Sequence, residues 1–266
     1  MNQAPPPAQT MTANPSVVDA AVRFCDDALA SPTVEFLSGF GFGFLGTDKT
    51  VTIPIANPAG AKILSIVIEI PEYGVWHGSI VTAEGVCVAR VSQKECLVSG
   101  GPQWIDAPPV PIEWGGAHFG EVNHDFIRNP RSCTHHKAIT HAQGPVDRVD
   151  FAEDFNSERY KLCKLAKICG FGVPCIGTVP GLIFGCFACM CYPPEFDIKD
   201  SAGEKVGGFE TYGISASGRF DSPCVLHFDR MTSEQRRLAL VVGMYSMAQH
   251  LCQPPSGQVS GGISVG

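Results

Sequence analysis

Thr232-Ser233-Glu234-Gln235-Arg236-Arg237-Leu238-Ala239-Leu240-Val241-Val242-Gly243-Met244-Tyr245-Ser246-Met247-Ala248 is the stretch on which the fold turns. Thr232 and Gln235 have the spacing of a capping box, and Glu234 places an acid in the first turn, so a helix starts here. From Leu238 onward the side chains are apolar on every face of that helix. A helix that is apolar all round is buried all round. Pro254-Pro255 stops it. The run Leu238–Ala248 rises only about 16 Å as a helix, against a bilayer core of about 30 Å. It is therefore expected inside protein, threaded through a barrel or clamped in a core. Leu238, Leu240, Val241, Val242, Gly243 and Met244 are its expected buried residues.

The rest of the chain favours strands as the surrounding material. With 29 Gly and 21 Pro in 266 residues, turns are frequent. The hydrophobic share of 44% is enough for a substantial core, and the length suits one large β-domain or at most two small ones. A formal net charge of −7 argues against a nucleic-acid partner, which needs a basic field. It also provides no polybasic patch for anionic lipid. Any membrane contact would have to be apolar or covalent.

Residues 1–15 are Pro-rich and expected to be a disordered arm. Ser16 to Ala30 reads as a short amphipathic helix with Ser16 and Asp19 at capping-box spacing. Val17, Ala20, Ala21, Phe24, Ala28 and Leu29 form its apolar face. Residues 33–46 alternate Phe40, Phe42 and Phe44 with glycine and read as a strand. Val51 to Ile70 reads as a hairpin around Asn57-Pro58-Ala59-Gly60. Residues 55–63 align with 198–206, sharing Ile, Ala, Gly and Lys. Either common turn chemistry or an internal duplication explains the match; a duplication makes two similar halves closing one sheet. Residues 99–160 resist assignment. Gly100 to Gly116 reads as loops with short strands, and 123–160 as a polar insertion in a single domain spanning 16–252. Residues 253–266 are expected to be a flexible tail.

Cysteine usage is unusual. Six of the 12 fall between Cys163 and Cys191. MNQAPPPAQTMTANP has neither the early positive charge nor the apolar core of a signal peptide, so a reducing compartment and no secretion are expected. From Ile168 to Pro194 no side chain is charged, yet Gly170, Gly172, Pro174, Gly177, Pro180, Gly181 and Gly185 interrupt any spanning helix. Short buried strands fit better, with turns at Val173-Pro174 and Val179-Pro180-Gly181. Val173, Ile176, Val179, Leu182, Ile183, Phe184 and Phe187 are then core. Cys163, Cys169, Cys175, Cys186, Cys189 and Cys191 are candidates for burial, for thioester acylation or for redox chemistry. Zinc is a further use, at Cys186-x-x-Cys189-x-Cys191 with Cys163, Cys169 or Cys175 as fourth ligand, although only one CxxC knuckle is present.

No catalytic constellation stands out, and no enzymatic activity is expected. Gly39-x-Gly41-x-Gly43 lacks dinucleotide-loop spacing. Cys133-x-His135-His136, with His141 nearby, offers zinc ligands or a thiol–base pair, but solvated loop histidines are the plainer reading. Asp147, Asp150, Glu153 and Asp154 read as a solvated acidic face.

Phe196-Asp197-Ile198-Lys199-Asp200, then Gly203 and Val206-Gly207, then the apolar terminal helix, resemble the end of the phospholipid scramblase family. The Cys186-x-x-Cys189-x-Cys191 cluster ahead of Phe196 and the Pro-rich arm resemble that family too. The similarity is clearest over about residues 160–252. It implies a mainly β fold: a closed antiparallel β-barrel of two similar halves around a buried C-terminal helix, to which residues 16–30 add a short N-terminal helix. It implies phospholipid binding or movement between leaflets, and attachment by cysteine acylation at the cytoplasmic side of a membrane. It also implies Ca2+ held by an acidic segment ahead of the helix. That segment, Phe220 to Asp229, retains only Asp221 and Asp229, well short of the roughly 6–8 oxygens calcium takes. A non-catalytic structural or interaction module on the same barrel, and a zinc protein, are the alternative functions.

Overall fold

The computed structural model describes residues 15–37, 49–72, 75–93, 109–128, 136–153, 195–210 and 224–251. Helix α1 spans Pro15–Leu29. Twelve strands follow: β1 Thr33–Phe36, β2 Lys49–Ala56, β3 Lys62–Glu72, β4 Val75–Thr82, β5 Cys87–Gln93, β6 Val110–Trp114, β7 Ala117–Arg128, β8 His136–Gln143, β9 Arg148–Glu153, β10 Glu195–Lys199, β11 Lys205–Glu210 and β12 Cys224–His227. Helix α2 (Ser233–Leu251) ends the described chain. Each strand pairs antiparallel with the next, and β1 pairs with β12, so the sheet closes into a barrel.

Alternation along the strands determines what the barrel encloses. In β3, Leu64, Ile66, Ile68 and Ile70 are buried while Ser65 and Val67 are half-buried and Glu69 is exposed. In β6, Val110, Ile112 and Trp114 face in, and Pro111 and Glu113 face out. A sheet pleat turns successive side chains to opposite faces, so such strands form a wall with an apolar lining. Eight strands would be filled by their own side chains; twelve leave a wider lumen. A helix, about 10–12 Å across with its side chains, fills it.

That helix is α2. Every residue from Leu238 to Tyr245 is buried. Size complementarity fits it to the wall. At Gly243 an added Cβ would come 3.2 Å from Phe36 Cζ, so the missing side chain makes room for a ring. Phe36, Phe151 and Phe196 gather around Phe209 at centroid distances of 5.9, 5.8 and 6.4 Å. Elsewhere the roles reverse. Gly78 of β4 gives way to Met244, and Trp76 packs edge-on to Tyr245 at 5.3 Å while donating its Nε1–H to Gln93 Oε1 at 3.1 Å.

The meander gives the barrel two different rims. β1 leaves α1 at one rim, here the near rim. The connections β2–β3, β4–β5, β6–β7, β8–β9 and β10–β11 all turn there, as does the link from β12 to α2. The opposite, far rim takes the remaining connections. The longest in sequence is 154–194, between β9 and β10. The C-terminal end of α2 points to that rim.

The closed barrel, its buried helix and the N-terminal helix are as the sequence predicts; several details differ. The helix begins at Pro15, a residue without an N–H to lose at a helix start, so Ser16 lies within the first turn. Its buried stripe is Ala21, Cys25 and Leu29, while Val17 and Phe24 are 45% and 46% exposed. The polar stretch expected as an insertion supplies wall: the end of β7, all of β8 and all of β9 pair within it. In β9 the polar Arg148 and Asp150 alternate with buried Val149 and Phe151. The matched segments 55–63 and 198–206 are both hairpins with one geometry. Asn57 Oδ1 accepts from Ala59 and Ala61 N–H at 3.1 and 3.0 Å, and Asp200 Oδ1 from Ala202 and Glu204 N–H at 2.9 and 3.0 Å. Gly60 and Gly203 take φ of 77° and 82°, a left-handed conformation that glycine adopts without penalty. The β4–β5 turn repeats this loop, with Thr82 in the Asn/Asp place and Gly85 at φ 80°. The shared sequence is thus a shared loop type used three times on the near rim.

Leu240→Ala removes a fully buried side chain from the middle of the barrel. It is expected to lower unfolding free energy in urea by about 2–5 kcal/mol, whereas Thr52→Ala on the outer face should change it by less than about 0.5 kcal/mol.

Candidate functional site

The densest polar cluster among the described residues sits at the near rim, where α2 enters the barrel. Thr232 and Gln235 form the capping box: Gln235 N–H donates to Thr232 Oγ1 at 3.1 Å and Thr232 N–H to Gln235 Oε1 at 2.9 Å. Thr232 Oγ1–H donates to Asp147 Oδ2 at 2.5 Å. Glu234 Oε1 accepts from Val146 N–H at 2.9 Å and Asp147 N–H at 2.8 Å. The first turn of α2 therefore holds the β8–β9 turn. Gly144 leaves the space for Glu234, since a Cβ there would collide with its carboxylate.

Two adjacent arginines of α2 reach the other way, to α1. Arg236 donates through Nη1 to Leu29 O at 2.5 Å and Ser31 O at 3.5 Å. It also donates to Met231 O at 3.3 Å and lies 5.5 Å from the Phe228 ring centroid. Arg237 binds Asp26 with two hydrogen bonds, Nε to Oδ1 at 2.7 Å and Nη2 to Oδ2. Its guanidinium lies over Trp114 and Phe119, 5.5 and 5.9 Å from their centroids. A bidentate pair over aromatic faces suits a guanidinium and not an ammonium. The Asp26 hydrogen bond, against partial burial, raises the Arg237 pKa above its ordinary value.

Cys25 lies beside this pair, fully buried. Burial first, and then the Asp26 charge, push its thiol up to about 12, with Arg237 pulling the other way. A nucleophilic cysteine needs the opposite shift. The cluster joins α1, α2 and a wall turn by mutual satisfaction of charges. Its chemistry is that of a fastening.

The sequence candidates fall in three groups. Leu238, Leu240, Val241, Val242, Gly243 and Met244 are all inside the barrel. Cys163, Cys169, Cys175, Cys186, Cys189, Cys191 and Asp221 lie outside the described residues, as do Cys133, His135, Asp154, Phe40, Phe42, Phe44, the apolar run 168–194, the arm before Pro15 and the tail 253–266. Asp229 is exposed in the bend between β12 and α2. Among the described residues no group of three or more His, Cys, Asp or Glu is arranged to hold a metal ion. Two readings need correction. His141 is 7% exposed within β8 and is no loop histidine, because the stretch carrying it is wall. The acidic face is partly structural: Asp147 holds the start of α2, and Asp150 pairs with Arg148 at 2.6 Å. Reading the sequence missed the Asp26–Arg237 clamp. Its partners are far apart in sequence, and each alone looks like a helix surface charge.

Compared with known proteins, the chain matches no family model, no curated protein and no solved structure.

Glu234→Ala removes a carboxylate that takes two backbone hydrogen bonds, and should cost about 2 kcal/mol of stability in chemical denaturation. Cys25 also predicts a pH dependence. Its folded pKa lies above its ordinary value of 9.0, so the stability from keeping the thiol protonated is complete below about pH 9. It is lost as pH rises toward 12. Over that window the wild type should lose stability relative to Cys25→Ala by up to ~1.4 kcal/mol per pH unit, read from paired urea titrations.

Proposed function

We propose that the chain is a scramblase-like, membrane-associated barrel that binds phospholipid or aids its movement between leaflets, without enzymatic catalysis. One observation carries this reading. The barrel lumen is occupied by α2, and the sequence that holds six cysteines is inserted between β9 and β10 at the far rim, where α2 also ends. A filled lumen leaves no room for lipid inside the wall, so contact with a membrane belongs to the rim or to attached chains. The outer wall supports this division. Arg90, Glu113, His118 and Glu121 are exposed on it, and Lys205 pairs with Asp197 at 2.6 Å. Membrane-spanning barrels have the reverse pattern, apolar outside and polar inside. No helix among the described residues is long and apolar enough to cross a membrane.

On this reading, acyl chains on Cys163, Cys169, Cys175, Cys186, Cys189 and Cys191 would attach the barrel by its far rim at the cytoplasmic side of a membrane. One acyl chain gives only marginal binding and two give stable anchoring, so several cysteines are of use. Calcium at Asp221 and Asp229 would need further oxygens. The polar outer wall also favours a second reading, a non-catalytic interaction module that uses the outer face of the same barrel.

The test is membrane partition of the full chain expressed in cells, before and after hydroxylamine cleavage of thioesters. Partition should be lost on cleavage and in the six-fold Cys→Ser variant. A chain that stays soluble throughout favours the interaction module. Purified acylated protein in vesicles with labelled lipid, with and without Ca2+, then separates binding from leaflet exchange.

A further inference from the structure

We propose that α1 is a releasable cover on the near rim, with Arg237 as its catch. The barrel closes without α1, because the β1–β12 pairing completes the sheet and α1 lies outside that ladder. Only Ala21, Cys25 and Leu29 of its fifteen residues are buried. The opposite stripe of Ser16, Asp19, Ala20, Arg23, Phe24 and Asp27 lines a shallow outer groove. Beside that buried stripe, α1 is held by the Asp26–Arg237 pair and by Arg236, which binds Leu29 O.

Two features make release local. Pro32 O accepts from Phe228 N–H at 2.8 Å, so the chain is pinned just past the helix and movement is confined to the residues before it. The catch also keeps its shape when empty. Arg237 retains the Trp114 and Phe119 rings, and Arg236 retains Met231 O and Phe228, none of which belongs to α1. The open form therefore presents a preformed site for a carboxylate at the barrel mouth, and uncovers Ala21, Cys25 and Leu29 of the helix. Side chains of Arg237 and Asp26 are 23% and 29% exposed, so dissolved ions weaken the catch.

Cys25 reports the opening, since its thiol is covered while α1 is seated. The experiment is alkylation of Cys25 in the folded full chain by N-ethylmaleimide, read by mass spectrometry alongside amide hydrogen exchange. Asp26→Asn should speed Cys25 labelling by about tenfold or more, with exchange in β3, β4 and α2 unchanged. In the wild type, raising KCl from about 0.05 to about 0.5 M should speed labelling in the same direction, a measurement that needs no variant. The proposal is overturned if Cys25 reacts only as fast as the barrel amides exchange. It is equally overturned if neither Asp26→Asn nor salt changes the rate.

Discussion

A helix buried on all sides needs a container, and the structure is organised around supplying one. Eight consecutive positions of α2, Leu238 to Tyr245, have no exposed face. No single flat sheet can cover such a helix, because it would leave the far side to water. A closed wall covers every side, and closure also removes the unpaired sheet edges that would invite association. The long wall strands, the β1–β12 seam and the glycines at 78 and 243 all follow from fitting backbone and rings around that helix.

The lumen fit explains why the two rims differ. A helix inside a barrel has unsatisfied amides at its start and carbonyls at its end. At the near rim the start is capped by Thr232 and Gln235, and its charges are tied to Asp147, Val146 and α1. The tight turns lie on this rim, where short loops and the helix entrance share space. The long connections in the sequence, which hold eight of the 12 cysteines, join strand ends at the other rim. One end of the barrel is built as a fastening, and sequence variety is left to the other.

The near-rim fastening also shows how charge is used where apolar area is small. α1 adds only Ala21, Cys25 and Leu29 to the core, and a guanidinium held between a carboxylate and two aromatic rings fastens it further. Such a pair is directional and sensitive to its surroundings, unlike the contacts that hold α2. α2 is held by burial on all sides, and α1 by one buried stripe together with the Asp26–Arg237 pair.

Much of the fold was legible along the chain. The 232–248 stretch predicts a capped, fully buried helix, and the cap at Thr232 and Gln235 forms as its spacing predicts. The hairpin at Asn57–Gly60 is legible for the same reason: turn chemistry and capping act between residues a few positions apart. The wall at 123–153 was not legible, because polar residues such as Arg148 and Asp150 of β9 and the buried His141 of β8 give a strand the composition of a loop. The buried stripe of α1 was misjudged for a related reason. Apolar character alone selects Phe24, while the contact surface of the barrel selects Cys25. The clamp of Asp26 on Arg237, the aromatic nest around Phe209 and the seam of β1 on β12 join residues distant in sequence. Local sequence thus determined the capped buried helix and the tight turns. Only the closing of the barrel decided which side chains meet, because contacts across a lumen depend on register around the whole wall.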